Sequence, residues 1–280
     1  MRKRLFNWQG QRFVYLGLEG EAGVPLAQQA AGMFARAARE LAILDLSLLR
    51  NTVRTRVFGR SPEARTAGST ARAEALVGRS RAAGSSYISV PHFFTAADIG
   101  LDLFAMAAPA GNPPRHVTEH EPEQTFIRHL VWGPMVFLAG MTCETQPDLP
   151  RQCADILPRA AALLAETGCD WRNVVRVSFF LDRNHEPDDL LKTVAALAPV
   201  PLRHAEIELV EGFSRPGKLV EIEITAKRRA PIIQWRIVRA PILVVTTIGA
   251  LVRAGVGVAT LAKLVNFETG AASFVSALII

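Results

Sequence analysis

The stretch GQRFVYLG at residues 10–17 is matched later in the chain by GPMVFLAG at residues 133–140. Each stretch contains a turn, a short apolar run and a closing glycine, which is typical of a β-strand. Position 133 against position 10 gives a spacing of 123 residues. The match indicates that one structural unit occurs twice.

Two further pairs of segments follow in the same order. RNTVR at residues 50–54 matches RNVVR at residues 172–176, a spacing of 122. LDLFA at residues 101–105 is aligned with VEIEI at residues 220–224, a spacing of 119. Three blocks at a nearly constant spacing predict a tandem repeat.

Helical patterns lie between the blocks in both halves. Apolar residues recur at three-to-four spacing from Leu26 to Leu41 and from Cys153 to Ala165, which predicts an amphipathic helix in each half. Second helices are predicted over residues 62–77 and 187–197, both of which begin with proline. Each unit therefore reads β-β-α-β-α-β-β.

This element order predicts an α/β fold of the α+β type, in which two helices cover one face of a mixed sheet. The other sheet face stays bare and apolar, so it requires a partner. We therefore expect a homo-oligomer.

Composition and charge narrow the classes of function. The chain has 280 residues, of which 49% are hydrophobic and 21% charged, the balance of a soluble globular protein. The formal net charge is +6. Residues 228–280 contain six basic residues and one acidic residue, so the rest of the chain contains 26 basic and 25 acidic residues. A nearly neutral body does not favour nucleic acid as a partner.

The domain boundaries follow from the repeat. We expect the first unit over residues 1–110, a proline-rich linker over residues 111–124 and the second unit over residues 125–228. The apolar, basic tail at residues 229–280 has no counterpart in the first unit. It is interpreted as an added structured element, a poorly ordered or accidental extension, or a membrane anchor.

A membrane anchor is the less favoured interpretation of the tail. Its uncharged runs, residues 240–252 and 254–262, are separated by Arg253, and each is shorter than the roughly 20 residues that a span needs. Residues 1–4 are basic but lead into polar residues, so we expect no export signal. Three cysteines without a pairing pattern, at positions 143, 153 and 169, indicate a reducing cytoplasm.

No metal site is predicted. His116 and His120 have the spacing of helical metal ligands, but prolines flank them and the sequence offers no third ligand.

Two segments of the second unit carry a resemblance to a known family. PLRHA at residues 201–205 and VEIE at residues 220–223 resemble the Pro-x-Arg-x-Cys and Ile-Glu-Ile-Glu blocks of the Rid (YjgF) family of small trimeric enamine and imine deaminases. The second unit resembles a complete domain of this family, whose fold is also called chorismate-mutase-like. The first unit resembles the fold but keeps little of the signature.

The resemblance implies both an assembly and a reaction. In the family, three domains pack their open sheet faces into a barrel-like trimer with clefts between neighbours. Arg203 is implied to bind the substrate carboxylate, a role that suits the two parallel donors of a guanidinium, and Glu221 to position the attacking water. The implied reaction is hydrolysis of a 2-imino or 2-enamino acid to a 2-oxo acid and ammonia, without a cofactor.

The second unit departs from the family pattern at three positions. Phe126 replaces an aromatic hydroxyl, Ala139 a serine and Ala205 a cysteine. These residues and Gly140 are the predicted substrate-binding positions, where backbone groups can still form hydrogen bonds.

The first unit departs further from the family. Ser85 or Ser86 is expected at the position of Arg203, and Asp102 at the position of Glu221. The first unit is therefore expected to supply cleft walls and assembly surface rather than a site of its own.

Two other functions stay open from the sequence. One is a non-catalytic module that binds a small carboxylate-bearing metabolite or a partner, in which Arg203 is a surface residue and Glu221 lines the solvent face of a strand. The other is a chorismatase-like enzyme, a family with a similar two-copy fold, although its hydroxyl-rich segment is not evident in residues 139–143.

Overall fold

The first unit has the predicted element order with one added short helix. A computed structural model of the chain describes residues 1–89, 93–124 and 126–228, so the predictions for the tail lie outside the described residues. The elements are β1 (Arg2–Trp8), β2 (Gln11–Glu19), α1 (Leu26–Ala42), α2 (Leu48–Asn51), β3 (Thr52–Gly59), α3 (Pro62–Ala75), β4 (Ala83–Ile88) and β5 (Ile99–Met106).

The second unit has the same main order. Its elements are β6 (Arg115–Thr118), β7 (His129–Trp132), β8 (Met135–Leu138), β9 (Met141–Thr142), α4 (Leu149–Glu166), β10 (Val174–Asp182), α5 (Pro187–Leu197), β11 (Ala205–Val210) and β12 (Val220–Lys227). The strands β6 and β9 are additional, and the described part of this unit has no α-helix corresponding to the short helix α2. In the described ranges, no helix combines the length and apolarity needed to cross a membrane.

The sheet topology confirms the repeat and the fold class. The first sheet has the strand order β1-β2-β5-β3-β4, and the second has β11-β10-β12-β8-β7-β6 with β9 beside β12. The only parallel pairs among the described strands are β3 with β4 and β10 with β11. A helix connects each parallel pair, as a parallel crossover requires.

The register corrects the alignment of the third block. Asp102 pairs with Arg56 on β3, and Glu223 pairs with Ser178, the equivalent residue of β10. Asp102 therefore corresponds to Glu223, a spacing of 121 rather than 119. The sequence alignment was wrong by two residues because side chains on a strand repeat every two residues, so a slip of two preserves the pattern of faces.

Two expectations for the first unit change with this register. Gly100, not Asp102, occupies the position of Glu221. On the neighbouring strand, Gly84 pairs with Thr55 as Ala205 pairs with Val177, so Ala82, rather than Ser85 or Ser86, occupies the position of Arg203.

The segment expected to be a linker contributes a strand. Residues 115–118 form β6, which pairs with β7 and extends the second sheet at its edge. Arg115 also donates from Nη2 to the carbonyl of Thr52 in the first unit at 2.8 Å. The prolines at 113, 114 and 122 flank this strand without interrupting it, because each lies outside its ladder.

The helices pack on one face of each sheet, and the other faces of the two sheets meet. Phe13 of the first sheet and Phe137 of the second lie in this inter-sheet core with ring centroids 6.4 Å apart. The core also contains Met106 and Leu130. The bare sheet face predicted from the sequence is thus covered in part by the other copy of the same chain.

A buried ion cluster crosses this inter-sheet core. Arg54 and Arg56 of β3 both approach the Glu223 carboxylate, with N–O distances of 3.0 and 2.7 Å. Arg56 also donates to the hydroxyl of Ser178 at 2.9 Å, and Arg54 donates to the carbonyls of Leu138 and Ile224, each at 2.9 Å. The first copy therefore supplies the cations and the second copy the anion.

We expect Glu223→Gln to lower the free energy of unfolding by about 3–5 kcal/mol, because two buried guanidinium groups would lose their counter-ion. Asp189→Asn, which removes an exposed partner of Lys192, serves as the control and should change stability by about 1 kcal/mol or less. Urea denaturation of both variants measures the difference. Equal effects would show that the cluster does not hold the two copies together.

Candidate functional site

The candidate site is a cleft between the two copies, which we call the Glu221 cleft. It has a volume of about 630 Å³ and lies between α3 and β4 of the first copy and β12 with its preceding loop of the second. Its lining includes Arg65, Arg72 and Ser85 from the first copy and Lys218 and Glu221 from the second.

Glu221 lies at the floor of this cleft in an unusual environment for a carboxylate. Its side chain is buried, with 7% exposure, and the hydroxyl of Tyr87 donates to its Oε1 at 3.1 Å. Burial raises the pKa of Glu221 to about 7, and the negative charge of Glu223 contributes in the same direction, whereas the hydroxyls of Ser85 and Tyr87 oppose the rise. Glu221 can therefore exchange protons near neutral pH.

Glu223 lies two residues away on the same face of β12, yet it behaves in the opposite way. Burial alone would raise its pKa, but the charges of Arg54 and Arg56 outweigh burial and lower the pKa of Glu223 to about 2. Tyr87 contacts both carboxylates, and its ring stacks on Phe180 with centroids 4.0 Å apart. Neighbouring carboxylates with pKa values pushed apart are a common arrangement in acid–base sites.

Gly140 provides the space that the Glu221 carboxylate occupies. A Cβ atom at residue 140 would lie 1.7 Å from Oε1 of Glu221 and 2.5 Å from the Oγ of Ser85. Both distances are far below van der Waals contact, so only glycine fits here. The site therefore explains why the segment at residues 133–140 ends in glycine.

Two arginines of α3 line the first-copy wall. Arg72 donates from Nη1 to the carbonyl of Ser85 at 2.8 Å, and a Cβ atom at Gly84 would approach this guanidinium to 3.0 Å. Arg65 lies 3.4 Å from the hydroxyl of Ser86. Neither arginine has a carboxylate partner among the ion pairs of the described residues, and burial lowers the pKa of both.

The structure divides the predicted site residues between two cavities and the core. Phe126 and Gly140 line the Glu221 cleft together with Glu221. Arg203 and Ala205 line a separate cavity of about 410 Å³, which we call the Arg203 cavity. The remaining predicted residue, Ala139, is 2% exposed and packs in the inter-sheet core.

Arg203 and Glu221 line different cavities of the described residues. Ala205 pairs with Val177, whereas Glu221 pairs with Phe180. Val177 and Phe180 are three residues apart on β10, so Ala205 lies roughly 10 Å from the level of Glu221 along the strand direction, and Arg203 lies in the 3-10 turn that precedes Ala205. In this chain the first copy forms the wall opposite Glu221. Binding of a substrate carboxylate by Arg203 therefore stays a prediction, and it concerns a cleft other than the Glu221 cleft.

Sequence reasoning missed the cleft residues Arg65, Arg72 and Lys218, as well as Tyr87, whose hydroxyl donates to Glu221. Arg65 and Arg72 are seven residues apart on a predicted helix, a spacing that places them on one face. Nothing local in the sequence indicates that this face lies against a carboxylate from the other copy. His120 lies against Phe126, with ring centroids 5.2 Å apart, and the described ranges contain no group of three side chains arranged to bind a metal ion.

Solved structures show which folds the chain resembles. A chorismatase structure matches with a TM-score of 0.57 and 16% identity, covering 79% of this chain and 78% of that chain. The chain has a tandem Rid-like fold. Members of the YjgF family from Mycobacterium tuberculosis and Neisseria meningitidis match one unit.

The M. tuberculosis protein has a TM-score of 0.36 and 25% identity, and it covers 41% of this chain and 99% of its own. The N. meningitidis protein has a TM-score of 0.35 and 26% identity, and it covers 42% of this chain and 97% of its own. No family model and no curated protein matches the sequence.

We expect Gly140→Ala to displace the Glu221 carboxylate and to abolish any activity that depends on it, because the added methyl group would overlap Oε1. Gly32→Ala is the matched control: its Cβ would meet nothing within 4 Å, and alanine favours the helix there. Turnover and melting temperature of both variants give the comparison. Full activity in Gly140→Ala would contradict the placement of Glu221.

Proposed function

We propose that the chain is a hydrolase that converts reactive 2-imino or 2-enamino acids to 2-oxo acids and ammonia in the Glu221 cleft. The observation that carries the proposal is Glu221 itself, a buried carboxylate with a pKa of about 7 at the floor of a cleft with cationic walls. Such a group can take a proton from water and return it within one reaction.

The proposed reaction requires a positioned water and a proton carrier. Glu221 accepts a proton from water while the water oxygen bonds to the imine carbon, and the protonated carboxyl then transfers this proton toward the nitrogen. Glu221 then accepts the proton of the new hydroxyl group and transfers it to the nitrogen, so that the carbon–nitrogen bond breaks, ammonia leaves and the carbonyl of the 2-oxo acid forms. Because imines also hydrolyse without an enzyme, orientation of substrate and water provides much of the required acceleration.

The environment of Glu221 fits this role. Tyr87 holds Oε1 by its hydroxyl, and Gly140 allows the carboxylate to lie directly over the backbone. An anionic substrate is favoured because Arg65, Arg72 and Lys218 lie around the same cleft. Every group in this reaction belongs to the chain, so the proposal includes no cofactor.

We expect the ratio of wild-type to Glu221→Gln ammonia release to depend on pH. The carboxylate is the active form, so the ratio should be only about 4 at pH 5.5, rise through about pH 7 and approach about 100 above pH 8. Because both proteins are assayed with the same imine at each pH, taking the ratio removes the effect of pH on the imine itself. Imines generated in situ by an amino-acid oxidase, with enzyme-free rates subtracted, provide the measurement.

The control for this experiment is Glu211→Gln, the same substitution at a surface residue paired with Arg183. It should keep the wild-type rate at every pH. Equal rates for the wild type and Glu221→Gln, in folded proteins, would reject the deaminase and favour the non-catalytic metabolite-binding module.

We also propose that the chain forms a homo-oligomer. One chain supplies two domains, whereas the related family arrangement closes a ring of three. Apolar and aromatic side chains at the edge of the first sheet support an interface, since Leu5 is 53% and Phe6 37% exposed, and Phe6 lines the Arg203 cavity beside Trp8. An exposed edge strand is itself a surface that favours association.

Light scattering should give a mass greater than that of one chain for the wild type. Phe6→Asp should shift the protein toward the monomer, because a charge would be buried in the interface. Leu197→Asp, at an apolar residue of α5 that is 46% exposed and outside the Arg203 cavity, is the control. A wild type that stays monomeric at the concentration of the assay would contradict the oligomer.

A further inference from the structure

The Glu221 cleft contains more positive charge than its own acidic residues neutralise. Two of its five basic residues have carboxylate partners: Arg159 pairs with Asp155 at 2.5 Å, and Arg215 pairs with Glu144 at 2.9 Å. The other three, Arg65, Arg72 and Lys218, have no such partner among the ion pairs of the described residues. Glu221 is the remaining acidic residue of the lining, so the cleft presents three cations around one carboxylate.

These cations lie on two different walls. Arg65 and Arg72 project from α3 of the first copy, whereas Lys218 lies on the loop before β12 of the second copy. Lys218 donates from Nζ to the hydroxyl of Ser214 at 3.0 Å. A ligand between the walls would meet a pair of guanidinium groups on one side and an ammonium group on the other.

One unpartnered polar atom marks the first-copy wall as a binding surface. The Nε of Arg65 is buried without a hydrogen-bond partner among the described residues. Buried polar groups are normally hydrogen-bonded, so a ligand that supplies an acceptor would satisfy it. The hydroxyl of Ser85 acts on Glu221 instead.

We infer that the Glu221 cleft binds a small dicarboxylate, with one carboxylate on Arg72 and Arg65 and the other on Lys218. This inference rests on the proposed function, because it names the class of 2-oxo acid that the reaction would release. The first copy has Ala82 at the position equivalent to Arg203, so it has no arginine there. At the Glu221 cleft we therefore assign the carboxylate-binding role to Arg65 and Arg72 of α3.

The test compares two 2-oxo acids of equal chain length that differ by one carboxylate, 2-oxopentanedioate and 2-oxopentanoate. Isothermal titration calorimetry of the wild type should show tighter binding of 2-oxopentanedioate by about tenfold or more, as expected for one added charge-assisted contact. Lys218→Met should remove this preference and leave the affinity for 2-oxopentanoate unchanged. Arg72→Met, which keeps the apolar stem, should weaken binding of both acids by about ten- to a hundredfold.

One further variant completes the design. Arg151→Met, at an exposed surface residue outside the Glu221 cleft, is the control and should leave both affinities unchanged. If Arg72→Met does not fold, as judged by its melting transition, Arg65→Met replaces it with the same expected direction.

Equal affinities of the wild type for the two acids would overturn the inference, and so would unchanged binding of both acids in a folded Arg72→Met protein. These outcomes are distinct from failure of the proposed function, since product binding is measured without turnover. Glu221-dependent ammonia release together with equal affinities would reject the dicarboxylate and leave the hydrolase standing.

Discussion

The contact of Glu223 with Arg54 and Arg56 determines both the arrangement of the two copies and the chemistry of the cleft. It places two cations from the first sheet against one anion from the second, inside a core from which water is excluded. Removing either the arginines or the glutamate would leave an uncompensated charge in a medium of low dielectric constant. The two bare sheet faces are therefore held in one orientation, and the cleft at their boundary has fixed walls.

The same contact explains why Glu221 has a different character. The arginines of β3 lie against Glu223, whereas Glu221, two residues away on the same face of β12, has hydroxyl groups, the repulsion of its neighbour and the weaker influence of Lys218, and burial outweighs the groups that lower its pKa. Glu223 is held ionised, whereas the pKa of Glu221 lies near neutral pH. The structural carboxylate and the proposed reactive carboxylate are thus two members of one strand, and neither environment would exist in a single copy of the unit.

Much of the fold could be predicted from the sequence, because strand blocks and helical periodicity are local signals that occur twice. The positions of the helices and the element order of both units followed from these signals. The third block was aligned two residues out of register, since alternation along a strand does not distinguish Asp102 from Gly100 as the counterpart of Glu221. Pairing across β3 and β5 was needed to decide this.

The candidate site was less predictable because it is built across the repeat. Glu221, Gly140 and Phe126 could be assigned from a resemblance within one unit, whereas Arg72 reaches the cleft from a helix of the other unit. A carboxyl titration of glutamate-labelled protein followed by ¹³C NMR tests the central claim most directly. The account predicts one glutamate that titrates near pH 7 and whose signal is lost in Glu221→Gln; a protein in which every glutamate titrates below pH 5.5 would contradict it.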